Sequence, residues 1–309
     1  MIEIKYVCSN GEEYNLIGDK MKPTSGYFHS YEWNPNTTER KMGVTVNSFT
    51  KDPAVYEITL TVRGRVEERK EILDKITDAF ERDVANLSPG RIYYGEYYID
   101  CYIYKSSNEV SGENNSRTDC KVEIYCPYPF WCAEEKRSFF PISTEPKISS
   151  DYLDYPYDYS YDYTREKNGV QDWMINHFQS SNFELIIYGP CTDPKITINN
   201  YPYQIFDTLS AGEYITVNSR TKTVTKNLGN GTMQNIFEKR AKDKSIFEPI
   251  PSGSLAVNWN GEFGFDFTVF KERSVPKWNQ STRIQKEKNK DVSWMPILTL
   301  KLDQTRKIQ

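Results

Sequence analysis

The sequence predicts a mainly β chain with one long helix, an α+β half followed by an all-β sandwich. Three observations carry this. The 309 residues are enough for two domains of ordinary size, each with its own core. Aromatics reach 14%, with 23 tyrosines and 15 phenylalanines, which favours strands over helices. Strict alternation of apolar and polar residues recurs along the chain, whereas helical spacing is sustained in only one long stretch.

The first fifty residues are polar, with strand-like fragments IEIKYV and GVTVNSF. AVYEITLTVRG, 54–64, then alternates, with Tyr56, Ile58, Leu60 and Val62 on one face and Glu57, Thr59, Thr61 and Arg63 on the other. The long helix is EERKEILDKITDAFERDVANL, 67–87, where Leu73, Ile76, Phe80, Val84 and Leu87 step by three and four into one apolar stripe. Glu67, Glu68 and Glu71 crowd its start, where the helix dipole favours negative charge, and Ser88-Pro89-Gly90 stops it. RIYYGEYYIDCYIYK, 91–105, and CKVEIYCPYPF, 120–130, read as alternating strands, and SSNEVSGENNSRTD between them has the composition of an exposed hairpin loop. Residues 1–126 are therefore expected to form an α+β domain in which a helix packs on a sheet, with Pro127 and Pro129 marking its boundary.

The second half, 127–278, carries almost no helical pattern. NFELIIYGP, KITIN and YPYQI are short strands between turn signals, and EYITVNSRTKTVTK is a hairpin with Asn218-Ser219-Arg220 at its tip. LAVNWNGEFGFDFTVF, 255–270, reads as a second hairpin, turned by Asn260-Gly261 in a type I′ turn, with Phe263, Phe265, Phe267 and Val269 sharing one face. A short helix is expected near 233–241. Beyond Trp278, NQSTRIQKEKNKDV is charged and aperiodic, and SWMPILTLKL regains apolar residues; 279–309 is expected to be a linker and a docking segment.

Composition narrows the function. A formal charge of −4 provides no broad basic field for sequence-independent nucleic-acid binding. No stretch is long and apolar enough for a membrane-spanning helix, and the start MIEIKYVCSNGEEYN lacks a signal-peptide core, so the chain is expected to be made in a cytoplasm. Its six cysteines are expected as free thiols. Cys120, Cys126 and Cys132 recur every six residues without the close pairs of a zinc site, and Cys120 and Cys126 fall in phase with Val122 and Ile124 as core residues. His29 and His177 stand outside any metal or catalytic spacing and are expected on loops or the surface. Neither a phosphate-binding loop nor GxSxG is present. No enzyme, cofactor or metal is expected.

YLDYPYDYSYDY, 152–163, is the most unusual stretch. Asp154, Asp158 and Asp162 could serve as paired carboxylates or calcium ligands, but a solvated acidic loop is the simpler reading. Tyr155, Tyr157, Tyr159, Tyr161 and Tyr163 are the candidate interaction residues, because tyrosine buries area at small entropic cost and keeps a polar tip. A contact between subunits and a loop packed on its own domain are both open.

The ordered blocks SPGRIYYGEYYIDCYIYKS, CKVEIYCPYPFWCAEEKRSFFP, FELIIYGPCTDPKITINNYPY, LSAGEYITVNSRTKTVTK and SIFEPIPSGSLAVNWNGEFGFDFTVFKERSVPKW resemble the distal tail protein family of long-tailed phages over 1–278. The resemblance implies a tail-tube-like N-terminal β-sandwich carrying a helix and a galectin-like C-terminal β-sandwich. It also implies a homo-oligomeric ring of six copies at the tail tip. That ring would join the tail tube protein, a central tail-tip hub protein and receptor-binding or side-fibre proteins, in a virion or a phage-derived particle. Residues 279–309 depart from the family pattern and suggest an added contact to a neighbouring subunit. The alternative function is a carbohydrate-binding module for host-wall saccharides, using aromatics such as Trp259, Trp278 or the tyrosine run. Of these, Trp259 is in phase with Leu255 and Val257 and reads as core.

Overall fold

The structure is a computed structural model that describes residues 2–26, 28–111, 116–142 and 169–278. It is mainly β with one long helix, as the alternation pattern predicts.

The first core is built from β1 (Ile4–Val7), β2 (Glu13–Asn15), β3 (Met21–Ser25), a hairpin of β4 (Asn34–Glu39) and β5 (Val44–Thr50), then β6 (Ala54–Arg63), α1 (Val66–Ala85), β7 (Gly90–Tyr94), β8 (Tyr97–Ser111) and β9 (Arg117–Cys126). The sheet runs β2-β1-β7-β8-β9-β6-β3. In β6 the predicted face of Tyr56, Ile58, Leu60 and Val62 is buried. The face packs with Ile99, Cys120, Val122 and Ile124 and with Leu73, Ile76, Ala79 and Phe80 of α1 in one core. Tyr6 meets Phe80 edge-on at 5.1 Å.

Three expectations for this half are corrected. The helix stripe does not continue through Val84 and Leu87, which are exposed; its buried line is Arg69, Leu73, Ile76, Phe80 and Asp83. Two polar residues thus complete the helical spacing, and Leu87 lies past the helix at φ 50°. Second, 91–105 is not one strand. Gly95, at φ 61°, turns the chain so that Tyr94 faces Tyr97 and β7 pairs with β8. Third, most of the supposed loop after Lys105 is strand, because β8 and β9 stay paired out to Ser111 and Arg117.

The second core comprises β10 (Trp131–Phe139), β11 (Gly169–Ile175), β12 (Asn182–Tyr188), β13 (Cys191–Thr192), β14 (Lys195–Ile198), β15 (Tyr201–Gln204), β16 (Thr208–Leu209), β17 (Tyr214–Asn218), β18 (Thr223–Asn227), β19 (Met233–Asn235), β20 (Gly253–Trp259) and β21 (Phe265–Arg273). A 3₁₀ turn at Phe237–Lys239 stands where the short helix was expected. The sheet β19-β18-β17-β12-β21-β10 packs against β11-β20-β14-β15. Phe139 stacks on Phe265 at 4.6 Å and meets Trp259 edge-on at 5.8 Å across the interior.

The expected hairpin around Asn260-Gly261 does not form. β20 pairs with β11 and β14, whereas β21 pairs with β10 and β12, so the chain crosses from one sheet to the other. Both strands are apolar on the same side for that reason: Leu255, Val257 and Trp259 face Phe265, Phe267 and Val269 across the core. Gly261 takes φ 77°, and Trp259 Nε1 donates to Phe263 O at 3.1 Å, which closes the crossing loop. The β17–β18 hairpin forms as expected, except that its turn extends to Lys222 and Ser219 is buried.

β10 joins the two cores. It pairs with β21 from Trp131↔Arg273 to Phe139↔Phe265, and with β8 at Cys132↔Tyr98. A hydrogen-bonded path therefore runs unbroken from β19 to β2.

Candidate interaction surface

Among the described residues, β4 and β5 pair only with one another. Their ribbon exposes Met42 (92%), Val44, Val46 and Phe49 (56%), and a bulge between Asn36 and Thr37 twists it. Polar ties hold its shape, with Asn34 Nδ2 donating to Asp52 Oδ2 at 2.7 Å and Asn47 Nδ2 to Thr38 Oγ1 at 2.7 Å. A two-stranded ribbon with no buried face is marginal in water. Its two free edges and apolar side chains are suited to another surface.

At the foot of the ribbon lies a cleft of about 330 Å³, lined by Tyr31, Trp33, Phe130, Phe178, Arg273 and Val275 among others. Trp33 enters from just before β4, Phe178 from just after β11, and Arg273 from the end of β21. Phe130 is set by the Pro127/Pro129 segment, where its amide donates to Tyr128 O at 2.9 Å. Lys51, one residue past β5, holds Nζ 4.5 Å from the Phe130 ring and 5.5 Å from that of Trp33, and donates to Pro129 O at 2.7 Å. Burial lowers its pKa to about 8. The Arg273 guanidinium sits 5.6 Å from the Phe178 ring. His177 packs on Phe178 at 4.4 Å and its Nε2 lies 3.0 Å from Glu272 O, with burial lowering its pKa.

Beneath the cleft, within the second core, lies a largely buried ion pair. Arg220 Nε donates to Glu272 Oε1 at 2.7 Å, and Asn182 Nδ2 donates to Glu272 Oε2 at 3.1 Å. The Arg220 guanidinium lies 4.1 Å from the Phe270 ring and 5.4 Å from that of Tyr128. Tyr98 donates to Glu134 Oε1 at 2.6 Å beside Cys132, whose thiol burial pushes up to about 11. These groups come from β8, the segment before β10, β10, β12, the β17–β18 turn and β21. Nothing in their sequence spacing announces the cluster, since no two of its charged residues are near neighbours in the chain.

Tyr155, Tyr157, Tyr159, Tyr161 and Tyr163 lie outside the described residues, as do Asp154, Asp158, Asp162 and 279–309. Cys120, Cys126 and Cys132 are buried free thiols, as expected. Trp259 is core at 3% exposure and cannot serve as a sugar platform. His29 and His177 lie on loops, both partly buried. Among the described residues no cluster of His, Cys, Asp and Glu could hold a metal ion, and no helix is long and apolar enough to cross a membrane.

No protein-family model matches the chain, and no curated protein matches its sequence. Solved structures do match in shape. The crystal structure of the SPP1 Dit protein, described as a paradigm of the hub adsorption apparatus in phages infecting Gram-positive bacteria, superposes with a TM-score of 0.56 at 8% identity, covering 87% of this chain and 99% of that one. The fold is that of the phage distal tail proteins. The phage p2 baseplate in its activated conformation matches too, with TM-scores of 0.58 for the calcium form and 0.59 for the strontium form. The identities are 11% and 12%, and each covers 89% of this chain and 100% of the other. The distal-tail fold therefore spans both cores, and the resemblance seen in the ordered sequence blocks holds at the level of structure.

Proposed function

We propose that the chain is a structural component of a phage tail tip, with no catalytic step of its own. Copies of the N-terminal domain, 1–126, close a ring of six that continues the tail tube and meets a central hub protein. The C-terminal domain, 127–278, faces outward toward receptor-binding proteins, and 279–309 adds a contact to a neighbouring subunit.

The observation that carries this reading is the β4–β5 ribbon: its apolar residues are exposed and its edges pair with no other strand among the described residues. Surfaces of this kind are ordinarily covered in an assembly. Shared fold with the SPP1 and p2 proteins supports the same reading by analogy.

Native mass spectrometry across a range of protein concentrations tests it. A six-copy species that grows with concentration, or that appears on adding the tail tube protein, is the expected result. A chain that stays monomeric under both conditions would overturn the ring.

A further inference from the structure

We propose that Cys101 and Cys126 are a latent disulfide, a dithiol that a peroxide closes into a cross-strand bond pinning the end of β9 to β8. The inference is independent of the assembly reading above and stands whether or not a ring forms.

The strand register brings the pair together. β8 and β9 run antiparallel with Tyr102 opposite Tyr125 and Ile103 opposite Ile124, so one further step sets Cys101 opposite Cys126. Opposed residues of such a ladder hold their Cα atoms about 4.5–5.5 Å apart, inside the roughly 4.4–6.8 Å that a disulfide spans. Both side chains turn to the same interior: each is 0% exposed, in one core with Tyr6, Tyr56 and Trp131. The two thiols already share a hydrogen bond. The remaining cysteines are engaged elsewhere. Cys8 donates to Asp83, and Cys120 Sγ lies 3.4 Å from Ser106 Oγ. Cys132 packs with Tyr98 and Phe270, and Cys191 against the second core.

The chemistry balances with one peroxide. One thiol attacks the O–O bond and becomes a sulfenic acid, releasing water. The second thiol displaces the sulfenic oxygen as a second water, and the Sγ–Sγ bond forms. Two electrons pass from the sulfurs to the peroxide, and both thiol protons leave in the waters.

Burial governs the rate of this reaction rather than its product. Desolvation raises the Cys101 thiol well above its ordinary pKa, so the closed core holds almost no thiolate. The pair is reached where β8 parts from β10. Tyr98, which makes the ladder pair with Cys132, stands three positions before Cys101. Cys126 is the last residue of β9 before the chain turns toward β10. Both thiols therefore sit beside the junction of the cores, and the bond would keep β8 and the end of β9 together each time that junction opens.

In the test, full-length chain is treated with hydrogen peroxide, with and without mild urea, then alkylated and digested without reductant. The expected product is a linked Cys101–Cys126 peptide, about 2 mass units lighter than its two parts. It should form faster in mild urea. The oxidised chain should melt about 5 °C higher, and a phosphine reductant should abolish the rise. Cys101→Ala should lose both the link and the rise, whereas Cys120→Ala keeps them. The peptide map of the native chain needs no variant, so poor folding of Cys101→Ala leaves the test intact. Sulfinic acid at either cysteine in place of the link, a link to any other thiol, or a bond that lowers the melting temperature would overturn the proposal. Thiols that stay unoxidised in both conditions would do the same.

Discussion

Ser9 and Asp83 fasten the start of the chain to the last turn of the helix, with Ser9 Oγ and its amide both donating to Asp83 Oδ1, at 2.6 and 3.0 Å. Cys8 donates to the same oxygen at 2.9 Å and Tyr6 to the other. Asp83 is fully buried, so its removal strands several donors at once. Asp83→Ala is expected to cost about 3 kcal/mol, and Asp83→Asn, which keeps an acceptor, clearly less. Urea unfolding of the full chain measures both; a loss below 1 kcal/mol for the alanine variant would show that the donors find other partners.

The same carboxylate makes stability depend on acid. Burial pushes its pKa up, but the hydrogen bonds from Cys8, Ser9 and Tyr6 outweigh this and hold it below the ordinary 3.8. The folded chain therefore binds this proton less readily than the unfolded one. The resulting stabilisation is fully present above the unfolded value and is lost as pH falls through the folded value. Melting temperature followed downward from pH 6 should drop more steeply in the native chain than in Asp83→Asn. Parallel curves would refute the assignment.

Arg69 is the opposite case. It is 3% exposed on the helix stripe, and among the described residues its Nε and Nη1 have no hydrogen-bond partner. Arg69→Met keeps the length and removes the buried charge, and is expected to be neutral or to stabilise by about 1 kcal/mol. A clear destabilisation in chemical unfolding would reveal a partner for the guanidinium.

Breaking the Arg220–Glu272 pair should be costly. Glu272→Gln leaves a largely buried guanidinium against Phe270 and Tyr128 with its anion gone, at an expected cost of about 3 kcal/mol. The double variant Arg220→Met/Glu272→Gln should recover part of that loss. A double-mutant cycle with no coupling would show that the pair contributes nothing to the second core.

On the ribbon, Met42→Ser with Phe49→Ser removes exposed apolar surface and should leave chemical stability within about 0.5 kcal/mol. Assembly should weaken at least tenfold in concentration. An unaltered oligomer distribution would move the ring contact elsewhere.

Much of this fold is legible in the chain because alternation reports burial directly: the apolar faces of β6 and β9 are buried as read, although Thr61 of the opposite face of β6 is buried too. Alternation does not report pairing, however. The apolar faces of β20 and β21 looked like one hairpin and are opposite walls of a core, since both arrangements bury the same residues. The helix stripe departs from the apolar pattern where polar residues take apolar places, Asp83 buried through contacts more than 60 positions away and Arg69 through its position on the helix face. The cleft and the ion pair beneath it were invisible for a related reason. Trp33 and Lys51 meet Phe130 and Phe178 only after the two cores close on β10, and Arg220 meets Glu272 only when the β17–β18 turn packs on β21.

The two attachments of β10 differ in how they would carry a pull. A force drawing β10 lengthwise against β21 loads their nine-residue ladder in shear, so its rungs resist together. The link to β8 has one ladder pair, Cys132↔Tyr98, backed by the Tyr98–Glu134 hydrogen bond and the packing of Tyr98 with Cys132 and Phe270. Tension along the molecule would therefore fall on a short ladder with side-chain support at β8 and on a long ladder at β21, so the β8 side is the one expected to open first.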